Sequence, residues 1–134
     1  MPTFRYAKLV RDNIPSFHIE SGHTFTGRTL KGKELVDALV AKLHEETDEV
    51  DGALNPEELI EELADVQQII DDLCTVSGIR KEDMTTVMAK KAARKGGFLQ
   101  GKYIETVTMP TEDDKWVVYC RNAPDKYPEI KEVA

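Results

Sequence analysis

Cysteine is scarce. Cys74 and Cys120 are the only two in 134 residues. They are too few for a disulfide framework and are not spaced as a Cys-x-x-Cys metal pair, so a reducing cytoplasm is the expected setting. Long apolar runs are missing too: no stretch approaches the roughly 20 residues that span a bilayer. The opening residues, MPTFRYAKLVRDN, carry charge where a signal peptide needs an apolar run. Neither export nor a membrane partner is expected. Positive charge is outnumbered, with 18 Lys and Arg against 25 Asp and Glu and a net charge of −7. A surface for duplex nucleic acid, which needs clustered cations, is therefore not expected. Internal repeats, low-complexity tracts and linkers are absent as well. What is there is 40% hydrophobic and 32% charged, a globular composition at a length suited to one domain. We read that domain as residues 1–134, with 105–134 as a C-terminal extension.

The charge is unevenly spread. Residues 44–72 hold twelve Asp and Glu and no Lys or Arg, which leaves thirteen acids against eighteen bases elsewhere. The bases gather at Lys8–Arg11, Arg28–Lys33 and Lys90–Lys102. A solvated helix face is the simplest use of an acidic run, so the spacing within it matters.

Periodicity predicts a mainly α chain. Asn13 and Pro15 suit the start of a short helix over 13–21, stopped by Gly22. Leu35, Leu39, Leu43 and Val50 form a stripe from Lys33 to about Gly52. Asn55-Pro56 opens a second long helix, with Glu58 placed like the acidic half of a capping box. Its stripe is Leu59, Leu63, Val66, Ile70 and Leu73, and Gly78 ends it. A further helix runs from about Lys81 to Lys95, broken by Gly96-Gly97. Short extended segments are expected near 23–30, which is rich in Thr, and within 103–121, at Tyr103–Thr108 and Trp116–Cys120. Wide apolar stripes on so few helices suggest a bundle completed by oligomerisation.

The acids fall into a pattern. Glu46 and Glu49 are three apart and share a helix face; Glu62 and Asp65 do the same on the next helix. Residues 51–55 are a short connection, which favours antiparallel neighbours, so four carboxylates can converge. Leu43 and Val50 flank one pair and Leu63 and Val66 the other, so the acids lie at the edge of the apolar stripe. Two like charges about 4 Å apart repel by roughly 4 kcal/mol at an effective dielectric of 20. A hard divalent cation relieves that repulsion. No His follows a Glu at the spacing of di-iron bundles, and oxygen-only ligation points to Mg²⁺, with Mn²⁺ as a substitute. Lys90, Lys91, Arg94 and Lys95 follow, either to neutralise phosphate oxygens or to complement a helix C-terminus.

Other signals carry less. Gly27-x-x-x-x-Gly32-Lys33 resembles a P-loop, but Glu34 stands where Ser or Thr would hold Mg²⁺. His18, His23 and His44 lack paired zinc spacing and are read as structural or surface residues. Cys74 is assigned to the core and Trp116 and Tyr119 to packing. Gln67 and Gln68 are either base-reading groups or plain helix-surface residues.

Glu45-Glu46-x-x-Glu49, a gap of twelve residues and Glu62-x-x-Asp65 resemble the signature of the MazG-like all-α nucleoside triphosphate pyrophosphohydrolases. Tyr6-Ala7-Lys8-Leu9-Val10-Arg11-Asp12-Asn13-Ile14-Pro15 resembles the Lys-Leu-Val-Arg-Asp-Lys-Ile-Pro opening of one subgroup, of expected house-cleaning role, departing from it at Asn13. Lys90 to Phe98 resembles that subgroup's basic segment ending in Gly-Gly-Phe. The matches cover about residues 6–104. The resemblance implies a helical homodimer or homotetramer with Mg²⁺ between helices. It also implies hydrolysis of a nucleoside triphosphate between the α and β phosphates, giving the monophosphate and pyrophosphate. It makes Glu46, Glu49, Glu62 and Asp65 the metal ligands, Glu45 the residue that orients or deprotonates water, and Lys90 and Arg94 phosphate contacts. For Lys8 and Arg11 it fixes no role: phosphate binding and a helix-anchoring salt bridge are both open. A phosphoribosyl-ATP pyrophosphohydrolase-like enzyme and a non-catalytic nucleotide- or metal-binding module are the competing expectations.

Overall fold

Helix boundaries in this chain follow from a handful of capping and breaking residues. The computed structural model describes residues 1–131. Among these it has helices α1 (Ile14–Glu20), α2 (Gly32–Asp51), α3 (Pro56–Val76), α4 (Lys81–Lys95) and α5 (Lys115–Arg121), and no strand. The mainly α expectation is met. Asn55 is extended and its side chain accepts the Glu58 N–H at 2.9 Å, while Pro56 fills the first helical position. Glu58 in turn accepts from the Leu54 N–H at 2.9 Å, one residue before the cap. One orphan donor of the first turn is thereby satisfied, and the N–H just before the cap also finds a partner. Asn13 sits at the start of α1 as expected, but its backbone is already helical and its side chain makes no cap bond.

Both α1 and α3 end in the same way. After α3, the Ile79 N–H donates to the Cys74 carbonyl at 2.8 Å and the Gly78 N–H to Thr75 at 3.2 Å. After α1, the His23 N–H donates to the His18 carbonyl at 2.8 Å and the Gly22 N–H to Ile19 at 3.0 Å. This is the Schellman pattern, and it needs a left-handed residue. Gly22 (φ +76) and Gly78 (φ +70) supply it without a Cβ penalty.

The short turn over residues 52–55 sends α3 back along α2, and these two helices form the main packed pair. Leu39 of α2 and Ile69 of α3 are the buried apolar residues among those described. Leu59, Ile60 and Leu63 of α3 and Val40 of α2 remain substantially exposed. Beyond α3, α4 approaches through Met84, whose Sδ lies 3.3 Å from the Cys74 Sγ. Cys74, Ile79, Met84 and Met88 line a shallow crevice there. No helix among the described residues is long and apolar enough to cross a membrane.

The chain divides into two compact units, Met1–Lys95 and Gly96–Ala134. The second corrects an expectation. Trp116–Cys120, read as extended from its β-branched and aromatic residues, is helical within α5. Asp114 accepts the Trp116 N–H at 2.9 Å and so caps the helix. Trp116 and Tyr119 then meet edge to face at 5.6 Å. Residues three apart share a helix face but point to opposite sides of a strand, so this contact exists only in the helix. Arg121 ties the unit together with Glu112 at 2.7 Å and Glu129 at 2.6 Å. Residues 23–30 and 103–108 form no strand either. Thr-rich sequence favours an extended backbone, but a ladder needs a partner strand, and the described residues offer none.

Candidate metal centre

α2 carries Glu46 and Glu49 one turn apart near its C-terminus, and α3 carries Glu62 and Asp65 two turns into its length. Because the turn between the helices is short, these two levels face each other. One carboxylate oxygen from each of the four residues lies within 4.8 Å of all the others. The expected convergence is therefore present in the geometry.

The electrostatics of the group are unusual. Glu46 is the most enclosed member at 6% exposed, the only charged residue among the buried ones described. Oε2 of Glu46 and Oε2 of Glu62 are buried with no hydrogen-bond partner among the described residues. Leaving such an atom unsatisfied costs about 1–3 kcal/mol, more for a charged group. Burial first, then the hydrogen bond and charge of Glu49, push the Glu46 carboxyl above its ordinary range. Lys42, one turn earlier on α2, offers partial relief at 3.5 Å from Glu46. The donor set is all oxygen, converging, and partly stripped of water and protein partners. That is the chemistry a hard divalent cation takes, and the residues fit one.

Glu45 lies outside this group. Lys8 donates to it at 3.1 Å and Lys42 at 3.2 Å. The hydrogen bond from Lys8 is the largest cause holding the Glu45 carboxyl below the usual range, and the same bond raises Lys8. Arg11 donates to Asp65 at 2.5 Å. Lys8 and Arg11 thus each grip one helix of the pair, from a segment that precedes α1. Ion pairing to the helices, one of the two roles left open for them, is present in this geometry. Lys90 and Arg94 lie exposed on the last turns of α4 and form no ion pair among the described residues. Lys42 was overlooked in the sequence. Its signal was present: it is the last cation before the acidic run, three residues from Glu45 and four from Glu46.

Gln67 and Gln68 each donate to an aspartate one turn on, Asp71 at 2.9 Å and Asp72 at 3.2 Å, as helix-surface glutamines do. No protein-family model, curated protein or solved structure matches the chain.

Proposed function

We propose that the chain is a Mg²⁺-dependent nucleoside triphosphate pyrophosphohydrolase of the MazG-like type. It would cleave between the α and β phosphates to give a nucleoside monophosphate and pyrophosphate. One observation carries this reading. Four carboxylates from two antiparallel helices meet within 4.8 Å, and two of their oxygens are buried and unpartnered. A solvated acidic face leaves both features unexplained.

Glu46, Glu49, Glu62 and Asp65 would hold the metal. When bound, Mg²⁺, or Mn²⁺ in its place, supplies charge neutralisation for phosphate oxygens and acidifies a bound water. The chain's own residues then have distinct tasks. Lys8 and Lys42 stabilise the anionic form of Glu45, which suits it to accept a hydrogen bond from water and orient it rather than to take up a proton. Arg11 holds Asp65 in place through its guanidinium. Lys90 and Arg94 remain free to neutralise phosphate oxygens. Positioning and electrostatics carry the reaction, with no covalent nucleophile required.

Oligomerisation belongs to the same proposal. Leu59, Ile60 and Leu63 occupy more than one face of α3, and one neighbouring helix cannot cover them all. A homodimer or homotetramer would bury them as a helix bundle does. Incubation with a panel of nucleotides and Mg²⁺, with products resolved by chromatography, tests the reaction. Monophosphate and pyrophosphate are expected, and release of orthophosphate alone contradicts the assignment. Glu49→Gln is expected to lose activity by on the order of a hundredfold or more, and full activity in that variant contradicts the site.

A further inference from the structure

The segment before α1 forms no helix, yet it is fastened at two points to the helix pair that carries the carboxylates. Lys8 donates to Glu45 of α2 at 3.1 Å and Arg11 to Asp65 of α3 at 2.5 Å. The step from Lys8 to Arg11 spans at most about 11 Å of extended chain. Packed helix axes lie about 8–10 Å apart, so the segment straddles the pair at the level of the four carboxylates. Leu9 and Val10, between the two cations, are half-buried, while the other residues of the first thirteen are exposed. Ala7, just before Lys8, is left-handed at φ +47. A residue with a Cβ adopts that conformation at a cost, so the turn into the segment is held by the contacts that follow it.

Arg11 and a divalent cation draw on the same ligand. Asp65 is one of the four carboxylates that meet within 4.8 Å, alongside the buried, unpartnered oxygens of Glu46 and Glu62. An ion bonded to either Asp65 oxygen at about 2.1 Å would stand within about 7 Å of the guanidinium nitrogen. That is inside the Debye length of about 8 Å at physiological ionic strength, so the two positive charges repel. Steadying a ligand tightens an ion, and a nearby like charge loosens it. Arg11 holds Asp65 by a single Nη2–Oδ1 bond rather than a bidentate fork, which fixes the carboxylate only loosely, whereas its charge acts whatever the geometry. Repulsion sets the sign. Lys8, on Glu45 beside Glu46, adds to it.

We propose that the Lys8–Arg11 segment is a strap that supplies the carboxylate centre with tethered counter-charge, and that a divalent cation and the docked strap oppose one another. Loading the centre loosens the N-terminal segment, and docking the segment raises the cation concentration needed to load it. The coupling is reciprocal, because both act through one free energy. It rests on the reading of the four carboxylates as a cation site.

Endoproteinase Lys-C and calorimetry on the full chain test it. In the wild type, Mg²⁺ should quicken cleavage after Lys8 at least threefold, although the cation stabilises the fold as a whole. Arg11→Gln, and more so the double variant with Lys8→Gln, should bind Mg²⁺ about three- to tenfold more tightly. Lys33→Gln should bind it as the wild type does: Lys33 is an exposed cation paired with Asp37, about 20 Å along α2 from Glu46. Should a variant fail to fold, cleavage of the wild type decides. Protection or no change at the Lys8–Leu9 bond, or equal or weaker Mg²⁺ binding by Arg11→Gln, overturns the strap. Glu49→Gln separates the two readings. Where it loses the Mg²⁺ that the wild type binds, a failed strap leaves the carboxylate site standing. Binding equal to the wild type's, or none by either protein, overturns the site and the strap with it.

Discussion

Glu46→Gln should reverse its effect on stability when Mg²⁺ is added. In the metal-free protein Glu46 is buried among three other carboxylates, all with an oxygen within 4.8 Å. Each fully charged pair at that separation repels by about 3.5 kcal/mol at an effective dielectric of 20. Glu49 is exposed and Asp65 partly so, and solvent screening cuts the relief to about 1–2 kcal/mol. A neutral amide also donates to Glu49, and Lys42 keeps Glu45 as a partner. In chelator the variant should therefore melt higher, by about 4–8 °C per kcal/mol for a unit of this size. Adding Mg²⁺ at a hundred times its dissociation constant stabilises the wild type by about 2.7 kcal/mol. The variant has lost a ligand and should gain little, so the order of melting temperatures inverts. Thermal circular dichroism in chelator and in excess Mg²⁺ reads both arms. A variant that melts below wild type in chelator, yet gains as much from Mg²⁺, would refute the reasoning.

Three further outcomes are expected. Leu39→Ala should destabilise the helix pair by about 2–4 kcal/mol in urea denaturation, because Leu39 is one of its two buried apolar residues; a loss under about 1 kcal/mol would place the core elsewhere. Asn55→Ala should cost about 1 kcal/mol, since its side chain caps α3. Asn13→Ala should cost almost nothing, because that side chain caps nothing; equal effects at the two positions would contradict the capping geometry. The Lys8–Glu45 pair should fasten the N-terminal segment only within a pH window. Glu45 is held below its ordinary 4.5, so its contribution is complete above that value and is lost as pH falls through the lowered one. Lys8 is raised above 10.5, so its contribution is complete below that value and is lost as pH rises through the raised one. Limited proteolysis near Lys8 should quicken at both extremes, and Lys8→Ala should abolish the pH dependence. A flat profile in the wild type would count against the pair.

Legibility varied along the chain for physical reasons. The ends of α3 were readable because Asn55, Pro56 and Gly78 act within a few residues of themselves. The identity of the four carboxylates was readable because residues three apart on a helix share a face, and a short turn forces two helices together. The helix over 115–121 was not, because Val117, Val118 and the aromatics carry strand propensity, whereas a single cap at Asp114 and the Trp116–Tyr119 contact decide the outcome. In the sequence, Lys8 and Arg11 are cations with no assigned partner. Their partners lie 37 and 54 residues away, and no local pattern announces such a pairing.

Local chemistry alone therefore determined a helical chain, its main caps and breaks, and which acids share a face, since all of these depend on neighbours within one or two turns. Tertiary structure alone decided that Glu46 would be buried, that two carboxylate oxygens would have no partner, and that Lys8 would reach Glu45 and Arg11 would reach Asp65. It also decided that two histidines, one on α1 and one beyond it, would turn the same nitrogen toward each other. Burial and long-range charge pairing depend on where the backbone carries each side chain, and that is set by packing rather than by sequence spacing.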